Sequence, residues 1–174
     1  MAYLAPTTAS AAVVALIVLP IIPVADLPKT PIPGINSDVG NMVGWDRLVH
    51  TVRGVSDGLS PAEREHTAIL TANYGEAGGL ELLSSPGLPP VYSGHNSYAD
   101  WGPPDESRTT TILVMTWDEA GDYYAKYLGP CQRAATIDVG MKVGDSEEQG
   151  AGVWVCRGRT IPWSQLWPTL SHIS

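Results

Sequence analysis

Two stretches of this chain are apolar without strict alternation, and each runs directly into a helical pattern. "HTAILTANY" precedes "GEAGGLELL" over residues 66 to 83, and "TTTILVMTW" precedes "DEAGDYYAKYLGP" over 109 to 130. A strand that is apolar on both faces needs cover on both faces, which is the condition of a strand inside a parallel sheet. A shorter strand, "PPVYSG", lies between the two units at 89 to 94. Strands alternating with helices predict a Rossmann-like α/β fold, with a mainly parallel sheet and helices on its faces. Two further strands, "CQRAATIDV" and "GVWVCRG", have no helix between them, only the acidic loop "DSEEQG". They are expected to pair as an antiparallel edge.

The helices have their own signals. From Asp38, the residues Trp45, Leu48, Val49, Val52 and Val55 recur at helical spacing up to Gly58. "SPAE" at 60 to 63 starts another helix, with Ser60 as cap, Pro61 in the first turn and Glu63 reaching back. After the third strand, Ala120, Tyr123, Tyr124 and Tyr127 are expected on the inner side of a helix closed by Gly129 and Pro130. "PWSQLW" at 162 to 167 reads as a short amphipathic helix. The soluble α/β domain is placed at 37–174, after a Pro-rich linker at 26–36 that should lack regular structure.

Residues 1–25 are different. "TASAAVVALIVLPIIPVADLP", 8 to 28, carries no charge before Asp26, and the first basic residue is Lys29. A signal peptide needs a positive start, which is missing, and Pro23 spoils the small-residue cleavage site. A buried soluble helix needs a polar face, and this stretch has none. A transmembrane helix bent at its far end by Pro20 and Pro23 is the preferred reading. With no basic flank before it, the segment is expected to be the last membrane helix of something longer.

Acidic residues number 18 against 10 basic ones, giving a net charge of -8, and no basic stripe is present. A nucleic-acid partner is excluded on that ground, because phosphate neutralisation needs clustered positive charge. Cys131 and Cys156 fit no zinc spacing. In an exported domain they are able to form one disulfide, worth ~3 kcal/mol in the chain-entropy picture; otherwise they are two buried thiols.

The glycines at 75, 78 and 79 invite comparison with phosphate loops, but neither GxGxxG nor GxxxxGK is met. Glu76 in the first helical turn would repel an anion. Asn73 and Glu76 have the spacing of a capping box, and Thr116 with Glu119 repeats that spacing at the next joint. The joint is therefore read as a corner and no cofactor is expected.

Polar and aromatic side chains collect after three strands. Asn73, Tyr74 and Glu76 follow the first, Ser93, His95, Asn96, Tyr98 and Trp101 the second, and Trp117, Asp118 and Glu119 the third. In a parallel sheet these turns share the carboxyl edge, where open α/β folds bind ligands. Aromatic faces beside amides, histidine and carboxylates suit a sugar, and Asn73, Tyr74, Glu76, Ser93, His95, Asn96, Tyr98, Trp101, Trp117 and Asp118 form the candidate binding set. The competing readings are loops pinned by their own aromatics or a surface docked on another domain. His95 lacks metal partners at local spacing, and Ser93 is not in a GxSxG elbow. A glycosidase-like pair would need Glu76 with Asp118 or Glu119 across a cleft. No catalytic or metal residue is assigned, and Glu147 and Glu148 are read as a solvated turn.

"LTANYGEAGGLE", "LPPVYSGHNSYADWGPP", "EEQGAGVWVCRG" and "PWSQLWPTL", in that order, resemble the C-terminal extracytoplasmic domain of bacterial membrane glycosyltransferases. The similarity is to family 39, the protein-mannosyltransferase and aminoarabinose-transferase type, and runs from about Asn36 to the end. It implies a cell-membrane location with the domain on the extracytoplasmic side. It also implies a membrane-embedded catalytic part as partner, and a lipid-linked sugar or acceptor glycan close by. It implies, too, that the catalytic acids sit on an early extracytoplasmic loop and the membrane bundle, neither of which is read in this sequence, so a non-catalytic role is expected. A stand-alone, membrane-anchored glycan-binding module is the alternative, and an independent hydrolase the third.

Overall fold

A computed structural model describes residues 4–84, 86–140 and 146–173. Five strands form one mixed sheet in the order β2-β1-β3-β5-β4. They are β1 (Thr67–Thr71), β2 (Val91–Ser93), β3 (Thr110–Met115), β4 (Cys131–Thr136) and β5 (Gly152–Arg157). β1 pairs in parallel with both β2 and β3, whereas β5 runs antiparallel between β3 and β4. The expected antiparallel edge is thus a two-stranded ribbon whose inner member, β5, is buried and whose outer member, β4, is largely exposed.

Helices cover both faces. On one side lie α4 (Trp45–Asp57) and α6 (Tyr74–Leu83), and on the other α7 (Ala120–Leu128) and α8 (Trp163–Leu170). β3 shows how the strand pleat feeds two cores. Ile112 and Val114 join Leu48, Val52 and Leu80 on the α4/α6 face, while Leu113 and Met115 join Leu128, Trp163 and Leu166 on the other. All six β3 residues and all five of β1 are buried, which is why neither strand alternates in sequence.

The segment from Asp38 is not one helix. A single turn, α3 (Asp38–Asn41), stops at Gly44, whose φ is 89°, and α4 then starts at Trp45. A Cβ on Gly44 would lie 2.5 Å from the Cβ of Val139, so close approach and backbone hand both require glycine here. In α5 (Pro61–Glu65) Ser60 accepts from the Glu63 amide as read, but the Glu63 carboxylate does not reach back. It pairs with Arg157 at 2.7 Å instead.

The Pro-rich stretch holds short helical turns rather than irregular chain: a 3-10 turn at Val24–Lys29 and α2 at Ile32–Ile35. Proline has a helix-compatible φ and its missing N–H is no loss in a first turn, so short turns tolerate what longer helices do not. The helical part of the apolar leader, α1, is Leu4–Val18. Its 15 residues span about 22 Å. Among the described residues no helix is long and apolar enough to cross a membrane. Val13, Val14, Leu16 and Val18 of α1 and Leu19 and Ile21 just after it are all exposed.

Candidate functional site

The joint after β1 is closed by its own side chains. Asn73 Oδ1 accepts from the Glu76 amide at 2.8 Å, and Glu76 Oε2 accepts from the amides of Ala72 and Asn73 at 2.8 and 3.2 Å. This is the full capping box, and it occupies the Glu76 amide, one of the first-turn donors that a phosphate would use. Glu76 is fully buried, so it belongs to the interior and not to a binding surface. Burial pushes its carboxyl up to about 8, opposed by the bond from Asn73 and reinforced by the neighbouring Glu148. Its Oε1 has no partner among the described residues. A neutral acid at neutral pH follows.

The second joint does not repeat the device. α7 begins at Ala120, three residues later than a cap at Thr116 would start it, with Glu119 at the cap and no side-chain cap bond. Tyr123 is exposed rather than inward, and Gly121 and Leu128 take the inner face with Ala120 and Tyr124. A Cβ on Gly121 would lie 2.6 Å from the Trp154 indole, which explains a glycine inside that helix.

Three of the expected residues meet along one rim. Tyr74, the first residue of α6, puts its ring 5.1 Å from that of His95. His95 stacks on His172, centroids 4.9 Å apart. His172 and Trp117 line one crevice of about 160 Å³ over the ends of β1 and β3, with Gly94, Tyr124 and Leu170 completing the wall. β2 and β3 flank β1 on opposite sides, so this crevice sits where the chain direction of the sheet switches. The C-terminal segment forms its side: the His172 amide donates to Gly94 O, and the Asn96 amide to His172 O, each at 2.8 Å. Asn96 holds φ 54° to make that turn.

Other members of the sequence set go elsewhere. Ser93 is buried; its hydroxyl contacts Thr71 O and accepts from the His95 amide, which makes it a brace between strand ends. Asp118 is drawn to the β4 side by an ion pair with Arg133 at 2.8 Å. Tyr98 and Trp101, on a 3-10 turn at Asn96–Trp101, leave the rim and line a separate hollow beside β2, with Glu81 and Pro90. The indole of Trp167 in α8 donates to Ala99 O at 3.1 Å and fixes that turn on the sheet.

The reading of Glu147 and Glu148 as a solvated turn is wrong for Glu148. β5 starts where β3 ends, Gly152 opposite Met115, and this brings the 146–150 loop to the same edge of the sheet. Glu148 is buried, accepts from Ser146 Oγ at 3.0 Å, and has its carboxyl raised, chiefly by burial. The Glu147 amide donates to Asn41 Oδ1 at 3.2 Å. Residues 141–145, including Asp145 of the acidic loop, lie outside the described residues. His172 and Leu170 had no local signal, because only the return of the chain end brings them to the rim.

On β4 and β5, Cys131 and Cys156 stand opposite each other and are joined by a disulfide. Among the described residues, no group of three His, Cys, Asp or Glu is arranged to hold a metal ion. The rim offers imidazoles, ring faces and backbone groups, which bind and orient. Glu76 and Glu148 sit behind it, buried. No family model, curated protein or solved structure matches the chain.

Proposed function

We propose that this chain is a non-catalytic extracytoplasmic α/β domain of a membrane glycosyltransferase that uses a polyprenyl-phosphate sugar, and that its rim holds a sugar unit of the donor or acceptor. The observation that carries this reading is a run of rings along the carboxyl end of the parallel strands: Tyr74 meets His95, His95 stacks on His172, and His172 shares one crevice with Trp117. Ring faces cover the apolar side of a pyranose, while imidazole nitrogens and main-chain groups exchange hydrogen bonds with hydroxyls. The Cys131–Cys156 bridge suits an oxidising compartment outside the cytoplasm. The exposed apolar leader suits attachment to lipid. The ordered motif series that resembles family 39 supplies the transferase.

The test is a titration of the full chain in lipid nanodiscs with a short-chain polyprenyl-phosphate monosaccharide, followed by NMR. Saturable shifts at Tyr74, His95, Trp117 and His172 are the expected result. Silence of all four at ~10 mM ligand removes the reading, because that corresponds to an affinity too weak to position a sugar.

A further inference from the structure

The second hollow holds the most exposed aromatic ring among the described residues. Trp101 is 73% exposed, whereas Tyr74, Tyr123 and Trp117 range from 40 to 53%. Nothing in the fold needs Trp101 outside, yet it is held firmly. Its ring leans on Tyr98, centroids 4.3 Å apart and planes at 49°, and Tyr98 in turn packs on the core. Gly102, with φ 90°, ends the turn, and a Cβ there would meet only open space. The indole is thus carried on a fixed support with an uncluttered approach.

The frame around that ring is largely apolar, from Pro90, Val91 and Tyr92, with one carboxylate. Glu81 lies at the wall; burial first, then a side-chain bond with Glu81 and its charge, hold the Tyr98 phenol above its usual range. Asp100, the residue before Trp101, is exposed. A flat ring beside a carboxylate acceptor matches the two sides of a pyranose: its C–H face lies on the indole and its hydroxyls donate to Glu81. Glu81, with the exposed Asp100 next to Trp101 in sequence and a net charge of -8, opposes phosphate, uronate and nucleic acid. The hollow measures about 260 Å³, less than what encloses a drug-sized ligand, so it takes one ring with its neighbours left in solvent.

We propose that Trp101, Tyr98 and Glu81 form a binding platform for one unit of an uncharged glycan chain, separate from the rim crevice. The six-residue turn from Asn96 to Trp101 sets it roughly 12 Å along from the His95 rim. The platform does not depend on the rim reading; it engages a glycan whether or not the crevice does.

The experiment titrates the full chain in nanodiscs with neutral hexasaccharides, one a β-1,4-glucan and one an α-1,6-mannan, watching the Trp101 indole N–H. At least one should shift that signal saturably. Trp101→Ala should weaken binding at least ~10-fold and Glu81→Gln about threefold. Trp101 is exposed, so its alanine variant keeps the fold, as unchanged circular dichroism would record. Movement of the rim signals without Trp101 overturns the platform and leaves the rim reading standing; movement of Trp101 alone supports the platform and leaves the rim to its own titration with the lipid-linked sugar. A Trp101 signal that answers only to added lipid vesicles, and to neither hexasaccharide, overturns it as well.

Discussion

The imidazoles of His95 and His172 lie face to face, 5° from parallel, and the main chains of the same two residues are joined as a parallel bridge. Two rings so placed cannot both be charged cheaply, since like charges at that separation repel. Burial and then His172 lower the His95 midpoint from its ordinary 6.5, with Glu147 opposing. A folded value below the unfolded one means that the unfolded chain takes up the proton first. The contribution of His95 is complete above 6.5 and is lost as pH falls through and below it.

Acid should therefore loosen the chain end before the core. Protection factors of the Asn96 and His172 amides, whose bonds hold the strap, are expected to fall as pH drops below 6.5 while β1 and β3 stay protected. His172→Ala should move the His95 midpoint upward, read from its ring proton shifts. An unchanged midpoint would separate the two rings energetically.

Glu76 has the opposite sign. Its carboxyl is raised from 4.5 to about 8, so the unfolded chain ionises first as pH rises. Stability from this residue is full below 4.5 and is lost between 4.5 and about 8. Glu76→Gln keeps an acceptor for the Ala72 and Asn73 amides and removes the ionisation. It should be more stable than the parent at pH 8 by roughly 4 kcal/mol, with the difference shrinking toward pH 5, in urea unfolding curves.

Gly94 lies directly beneath the Leu170 carbonyl, with no room for a Cβ. Gly94→Ala should cost about 1–3 kcal/mol by forcing the strap away. The same variant should raise exchange at the His172 amide and change the crevice, whereas a comparable loss without local exchange would point to a general packing fault.

The Cys131–Cys156 bridge spans 25 residues and ties the outer strand to its neighbour. Reduction, or the double serine variant, should lower unfolding free energy by ~3 kcal/mol. β4 is expected to exchange fastest afterwards, because it has only one paired edge.

Asp118 supplies a contrast. Its pair with Arg133 is mostly in solvent, so Asp118→Asn should change stability by less than ~0.5 kcal/mol and leave sugar binding at the rim unaltered. A loss of binding would return Asp118 to the site.

How far such features could be read beforehand depended on the range of the interaction behind them. Asn73 and Glu76 are three residues apart and satisfy each other, so their box was legible. Thr116 and Glu119 have the same spacing, but the helix starts after both, so spacing alone misled. β1 and β3 were legible because burial on both faces leaves an unbroken apolar run. Glu148 was misread because its cover comes from the sheet edge and not from neighbours in sequence. The rim set was legible as a set of strand ends, yet Tyr98 and Trp101 turn away and His172 arrives from the far end of the chain.

The returning strap has a practical side. Ile173 is 92% exposed and lies one residue beyond a ring of the crevice wall. A bulky group attached at Ile173 would emerge beside the mouth and compete with whatever enters. Assays of uptake at that mouth belong on versions labelled elsewhere, for instance within the exposed Asp105–Ser107 bend.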